Sequence, residues 1–526
     1  MTPAVVNTIV NNTNTYATTA RAKRLVEDPL FDNPTSFGRP WKPVCATDIW
    51  RYIGIQLYMG MNIKGRREDY WLANERLTKI MSIVRWEQIH RYFTLRDRLI
   101  YPYEEDECFA WPVEPVATEI KRNIQKVYIP GSHIAIDEAM IAFRGRTKHT
   151  VNLPNKPIKE GYKVWAQGQA GFIDDWLWHS RENGPEGISS KGLDVKRAGA
   201  VAGDSDTTIR LAPTFALIIR LAERLRKRYP DRVFCYFLDN LFLNLDVAQS
   251  LLAMQMLCCG TTRKNATGIP KWLIKLKDNN RGLVWNSALG ETVEQTLCFA
   301  WQDNNLVLGI TTAHDFKNEL VYRERRRPAP TSTNARIVRP IFGGLAKMWL
   351  WIPKAIDDYN HYMNAVDVAN QFRGALTCHR RYERRNWRPI WNWLLDLCRV
   401  NAYLLSNRQI NKKQRRGQRP FVQEVTERLL MWPYEEEVPL HPSKFDPEQK
   451  EEHKWVIFTS RKNCLWCVEQ LKKTQDPQSA ERVALAPIVN GVRPRVRKRA
   501  SQSLGGCSTC QITLCREPCF DQFHSS

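Results

Sequence analysis

The chain has 526 residues, with 78 Lys and Arg against 55 Asp and Glu, a net charge of +23. That length supports about three or four domains of ordinary size. Hydrophobic residues at 43% and aromatics at 10% exclude a mostly disordered chain, and the charge excess points to a polyanionic partner, nucleic acid ahead of membrane.

Spanning a bilayer takes about 18 apolar residues in a row, and no run reaches that; the longest candidate, Leu211–Leu225, is broken by Arg220 and Glu223. The first twenty residues have neither the basic start nor the apolar centre of a signal peptide. A soluble intracellular protein with no membrane partner is the expectation.

Residues 1–30 are polar and predict a flexible N-terminus. Residues 31–130 predict a helical region: in DIWRYIGIQLYMGM and IVRWEQIHRYF the apolar positions recur every three or four residues. Strands follow, first in HIAIDEAMIAF and then as two runs within residues 151–180. Asp206–Arg228 predicts a helix, with Asp206, Thr207 and Thr208 as N-cap candidates and cations at its end. RVFCYFLD reads as a buried central strand, LFLNLDVAQSLLAMQML as a helix, and CCGTTRKN as a short strand. Asp278-Asn-Asn and Asp303-Asn-Asn predict hairpin turns. Ala355–Phe372 and Trp387–Ser406 predict helices, and 407–452 a linker, basic and then acidic.

The order βββ–α–β–α–β is the outline of an RNase H-like core, which gathers distant carboxylates at one sheet edge. In IAIDEAM, alternation puts Asp137 on the face of Ala135 and Ala139, opposite Ile134 and Ile136. Asp239 closes the second central strand, and Asp367 lies one helical turn before Asn370. Carboxylates brought together repel by roughly 4 kcal/mol per pair at about 4 Å and an effective dielectric near 20. A divalent cation reverses that sign, and oxygen-only ligands favour Mg2+ or Mn2+. Caps, turns and surface ion pairs would account for the same residues taken one by one.

Six motifs in this order, IDEAMIAFRGR, GYKVW, FLDN, CGTTRKN, YNHYMNAVDVANQ and RNWRPIWNWLLD, resemble those of the piggyBac-type transposases. The resemblance covers roughly Trp41–Ser406 and implies an α/β fold: an RNase H-like core in two parts (131–265 and 356–406), interrupted by a mixed insertion domain at 266–355. It implies Asp137, Asp239 and Asp367 as metal-binding catalytic residues, with Asn370 standing where many relatives carry a further aspartate. It implies cleavage of double-stranded DNA at element ends, joining at TTAA targets, a homodimer, and no small-molecule substrate. A TA step is easily unstacked, which suits such a target. Asn370, and an N-terminal segment shorter than in longer relatives, leave open a domesticated DNA- or chromatin-binding protein with weak catalysis.

Arg144, Arg146 and Lys163 flank the first-aspartate strands and are candidates for phosphate contact. So are Arg384, Arg385 and Arg388, in a stretch from Arg373 to Arg419 with thirteen Lys and Arg against two acids. Trp387 and Trp391, interleaved with them, would either stack on bases or face the core.

Six of the fourteen cysteines fall in the last 63 residues. Cys464, Cys467, Cys507, Cys510, Cys515, Cys519 and His524 give seven ligands, and two tetrahedral Zn2+ ions need eight; His453 is the best candidate for the last, with an external ligand or a single-zinc site as the alternatives. Residues 453–526 therefore predict a zinc module, and the RING-like cross-bracing comes from the resemblance. The basic run 493–499 reads either as a nuclear import signal or as a charged loop; a nuclear location is the expectation. The eight scattered cysteines read as small buried hydrophobes.

Overall fold

A computed structural model of the chain describes residues 1–27, 40–72, 75–96, 109–179, 192–197, 208–279, 283–316, 318–379, 383, 385–408, 410 and 414–433, with the backbone alone of 455–463 and 502–507. The strands are β1 (His133–Ala142), β2 (Val151–Asn152), β3 (Glu160–Gln169), β4 (Phe172–Trp178), β5 (Leu193–Lys196), β6 (Thr208–Leu211), β7 (Cys235–Leu238), β8 (Leu257–Thr261), β9 (Ala288–Val293), β10 (Thr296–Gln302), β11 (Leu306–Thr311), β12 (Leu320–Arg326), β13 (Lys347–Pro353), β14 (Trp455–Asn463) and β15 (Gln502–Cys507). The chain divides into two units, Met1–Glu435 and Glu436–Ser526.

The first unit is built on one sheet in the order β2–β3–β1–β7–β8–β11–β10–β9, with β4 also paired to β3. β1 and β3 are antiparallel, as are β3 and β4, whereas β7 is parallel to both β1 and β8. Parallel neighbours need crossovers, and the helices Pro213–Arg228 and Leu245–Ala253 supply them. The predicted order βββ–α–β–α–β is thus observed, with a small β5–β6 hairpin added ahead of the first helix. That hairpin shortens the helix: Thr208 lies in β6, and Pro213 starts the helix at a position where its missing N–H is harmless. Asp206 and Thr207 lie outside the described residues.

Two cores flank the sheet. Ile134 and Ile136 of β1 join Tyr236, Leu238 and the two crossover helices on one face. Ala139 and Ile141 join the N-terminal helices and the helix Arg388–Arg408 on the other. The alternation read in IAIDEAM is therefore the one that sorts the two cores. Trp387 and Trp391 sit in the second of them, fully enclosed, so they face the core and do not stack on bases.

Several expectations need correction. Residues 3–27 form a helix, not a flexible tail: Val5, Val6, Ile9, Thr13, Ala17 and Arg21 fall on one face and are buried. Asn14 fixes it, accepting from the Val44 N–H at 2.8 Å and donating to the Val44 carbonyl at 2.9 Å. The stretch 407–452 is not simply a linker, because Gln418–Leu430 is a helix lying against Ala46–Met61. Lys271–Asn279 is a helix where the turn signal predicts a hairpin; Leu273, Ile274 and Leu276 turn towards the core at helical spacing. The Asp303-Asn-Asn turn does join two antiparallel strands, β10 and β11. Of the segment 266–355, β9–β11 continue the large sheet through the β8–β11 pairing, and only β12–β13 stand apart as a hairpin.

In the second unit β14 and β15 pair antiparallel, and β15 ends on Cys507. Cys464, Cys467, Cys510, Cys515, Cys519, His524 and His453 lie outside the described residues. Of the scattered cysteines, Cys235, Cys258, Cys259, Cys298 and Cys378 are buried, and Cys45 is exposed.

Candidate active site

β1 and β7 place the first two aspartates side by side. Ile136 pairs with Leu238, so Asp137 and Asp239, the residues that follow, occupy the next register on strands about 4.8 Å apart. Both point away from the core that holds Ile136 and Leu238. The helix Ala365–Ala375 crosses β1, β3 and β4 on that face, with Val366 and Ala369 buried beneath it and Asp367 exposed in its first turn. Two of the aspartates thus lie side by side at one sheet edge, and the third is exposed on the helix packed over that sheet.

Each carboxylate is oriented locally. Asp137 Oδ1 accepts from the Glu138 N–H at 2.7 Å, and Asp239 Oδ1 accepts from the Asn240 N–H at 2.6 Å. The Thr261 hydroxyl, from the neighbouring β8, reaches Asp239 Oδ1 at 3.3 Å and the Tyr359 hydroxyl at 3.2 Å. Gly260 permits this spacing: a Cβ there would lie 2.0 Å from the Leu238 carbonyl oxygen. Tyr359 comes from the helix Lys354–Tyr362, and burial pushes its hydroxyl up to about 12, with Asp239 and Asp137 adding to the shift.

Asp137 is the strained member electrostatically. Burial, and then the negative charge of Asp367, push its carboxyl up to about 6, against the opposing pull of the Glu138 N–H and Lys156. Lys156, on the loop between β2 and β3, is ion-paired with Glu138 at 2.9 Å, and Asp137 and Asp367 help to raise its pKa. Lys163 pairs with the same Glu138 at 2.7 Å and lies over the Trp165 ring. Asn370 accepts from Arg373 at 3.2 Å, and Arg373 also donates to the Met140 carbonyl.

Among the described residues, no three His, Cys, Asp or Glu side chains are grouped closely enough to hold a metal ion. The donors nevertheless fit a hard divalent cation: they are carboxylate oxygens, and their mutual repulsion adds to the burial that raises Asp137. A cation would have to draw the exposed Asp367 inwards.

The basic candidates separate into two groups. Arg144 and Arg146 follow β1 and are exposed. Arg388 is interior: it donates to the Tyr52 hydroxyl at 2.7 Å, and its guanidinium also meets His90 Nδ1 at 2.9 Å and the His90 carbonyl. It ties two helical segments together and does not face DNA, because it opens the helix Arg388–Arg408, whose residues Arg388 to Leu397 are all buried. Arg385 donates to the Phe93 and Arg91 carbonyls. Arg384 lies outside the described residues. Sequence reading missed Thr261, Tyr359 and Lys156. Thr261 and Tyr359 lie inside the quoted motifs, but hydroxyls two strands or one helix away carry no spacing signal.

A family model described as Transposase IS4 matches residues 1–403. A cryo-EM structure of a piggyBac transposase synaptic complex with hairpin DNA is similar in fold, with a TM-score of 0.58 at 16% identity, over 81% of this chain and 77% of that one. With the family model matching residues 1–403 and the six motifs in order, the chain belongs to the piggyBac-type transposase family.

Proposed function

We propose that this chain is a metal-dependent DNA transposase with an RNase H-like core that cleaves element ends and joins them at TTAA targets. The observation that carries the reading is the Ile136–Leu238 register, which sets Asp137 beside Asp239 under the helix bearing Asp367. These three would hold Mg2+ or Mn2+, with Asn370 offering a neutral oxygen. Metal ions held there would supply the charge that activates an attacking water or hydroxyl and stabilises the leaving oxygen of a phosphodiester.

The chain's own residues do the rest. Asp137 keeps a proton up to about pH 6 and must give it up to act as a ligand. The Thr261 hydroxyl holds one oxygen of Asp239, and the Tyr359 hydroxyl in turn meets Thr261. Glu138 neutralises Lys156 and Lys163 beside the cut, and Arg144 and Arg146 lie open for backbone phosphates. Arg384 would add a further phosphate contact, as would Arg385 if it left the Phe93 and Arg91 carbonyls; Arg388 does not. The seven C-terminal Cys and His candidates with His453 would hold Zn2+, the working form would be a homodimer on paired ends, and the site of action would be the nucleus.

An excision assay tests the reading. Wild type should release an element flanked by TTAA, and Asp239→Asn should abolish release while DNA binding persists. Wild-type binding without any release would favour a second reading, a transposase-derived DNA-binding protein, for which Asn370 in place of an acid is the supporting observation.

A further inference from the structure

The β12–β13 hairpin presents two different faces. Val321 and Ile352 turn inwards against Phe299 and Trp301. Arg325 fastens the same side, pairing with Asp303 at 2.8 Å and lying over the Trp285 and Trp301 rings. On the outward face Tyr322 pairs in register with Trp351, and Glu324 with Trp349. Tyr322, Trp349 and Trp351 are 51%, 53% and 60% exposed, where aromatic side chains of this size are ordinarily covered. They touch one another: Tyr322 stacks on Trp349 at 5.3 Å and meets Trp351 at 5.1 Å. Folding of the chain gains little from leaving three such rings in water, so the patch marks an interaction site.

Charge selects the occupant. From Leu320 to Pro353 the sequence has seven Lys and Arg and one acid, Glu324, and that acid is already paired with Lys347 at 2.7 Å. Arg326 and Lys347 face each other at the end of the aromatic row. A flat aromatic face with cations at its end is the arrangement that stacks bases while holding phosphate. Arg323, Arg325 and Lys347 are ion-paired within the chain, whereas Arg326, Arg327, Arg336 and Arg339 take part in none of the ion pairs among the described residues, and an apolar protein surface would leave these four unmatched.

Position supports the same occupant. β13 runs straight into the helix that carries Tyr359, and Arg323 clamps the hairpin to that helix through both oxygens of Asp357, at 2.6 and 2.7 Å. Main-chain rise puts Trp351 no more than about 16 Å from Tyr359. From the aromatic row, the exposed face, the charge and this proximity, we infer that Tyr322, Trp349 and Trp351 form a stacking platform for unpaired bases of DNA held at the aspartates. The inference rests on the DNA-transposase reading for its substrate, and needs no metal chemistry.

The test is binding of a fluorescent oligothymidylate, and separately of a duplex, to the full chain without added Mg2+ or Mn2+, with Trp349→Ala/Trp351→Ala and Tyr322→Ala variants. The doubly substituted chain should bind the single strand at least about tenfold more weakly, with duplex binding and melting temperature close to wild type. Trp349→Phe should restore most of the affinity. Equal single-strand affinity in wild type and double variant overturns the inference, as does a wild type that binds duplex but no single strand. A wild type that binds neither form removes the DNA reading itself. Loss of self-association with single-strand affinity intact would assign the patch to a second copy of the chain and overturn the inference.

Discussion

Asp137 and Asp239 are neighbours across two parallel strands, each following a residue of the Ile136–Leu238 pair. This register does more than any single contact to define the site. It makes the first two carboxylates a property of the sheet, while the third is exposed on a helix packed over the sheet. The repulsion shows in Asp137, pushed up to about 6 by burial and by Asp367.

That shift predicts a pH dependence with a definite sign. The folded pKa lies above the unfolded one, so the contribution of Asp137 to stability is present at low pH and lost as pH rises through about 6. In cation-free buffer Asp137→Asn should therefore melt like wild type near pH 4. Above pH 7 it should be more stable, by about 2–3 kcal/mol. Thermal melts across that range check this; a variant less stable than wild type at pH 8 would contradict it. Mn2+ affinity of the wild type should fall as pH drops below about 6, since the cation must displace that proton.

Gly260→Ala should damage the site without touching a carboxylate. The added Cβ would meet the Leu238 carbonyl, forcing β8 from β7 and moving Thr261 off Asp239. A drop of about 3 kcal/mol in denaturant unfolding is expected, together with weaker Mn2+ binding. Thr261→Val, which keeps the shape and removes the hydroxyl, should weaken binding with a much smaller effect on stability.

Arg388 and the pair Arg144 and Arg146 should behave oppositely. Arg388→Ala takes a donor from the His90 carbonyl and from the Tyr52 hydroxyl, which keeps His90 Nδ1, and empties a guanidinium-sized space in a closed interior, a destabilisation of about 3 kcal/mol or more. Arg144→Ala with Arg146→Ala should melt like wild type and bind DNA more weakly. The slope of log affinity against log salt should fall by roughly 0.9 for each phosphate no longer neutralised. An unchanged slope would remove these two from the interface.

Asn370→Asp adds a carboxylate one helical turn after Asp367 and beside Arg373, which already donates to position 370. The fold should tolerate the change, because Asp can accept the same bond. Mn2+ should bind about tenfold more tightly, read by titration at pH 8. A looser affinity would mean that Arg373 holds the new carboxylate away from the cation.

Strand alternation and the buried VFCYFLD run are enough to read the central strands and the two aspartates on them. Those signals are local, with a period of two and a carboxylate at the strand end. The helix at residues 3–27 escapes because its buried face includes Thr13 and Arg21, which do not read as apolar. Arg388 misleads for a related reason. A guanidinium next to tryptophans looks like a nucleic-acid contact in sequence, and only the packing of Tyr52 and His90 around it shows it to be interior. Thr261, Tyr359 and Lys156 reach the site across register and loop geometry that no spacing encodes.

The most direct measurement is Mn2+ binding followed by electron paramagnetic resonance at pH 8, for wild type and for Asp137→Ala, Asp239→Ala and Asp367→Ala. Wild type should bind saturably, and each variant should bind more than about tenfold more weakly, including the one on the separate helix. Undiminished binding in Asp367→Ala would mean that the three aspartates do not share a cation, and would contradict the shared-site reading.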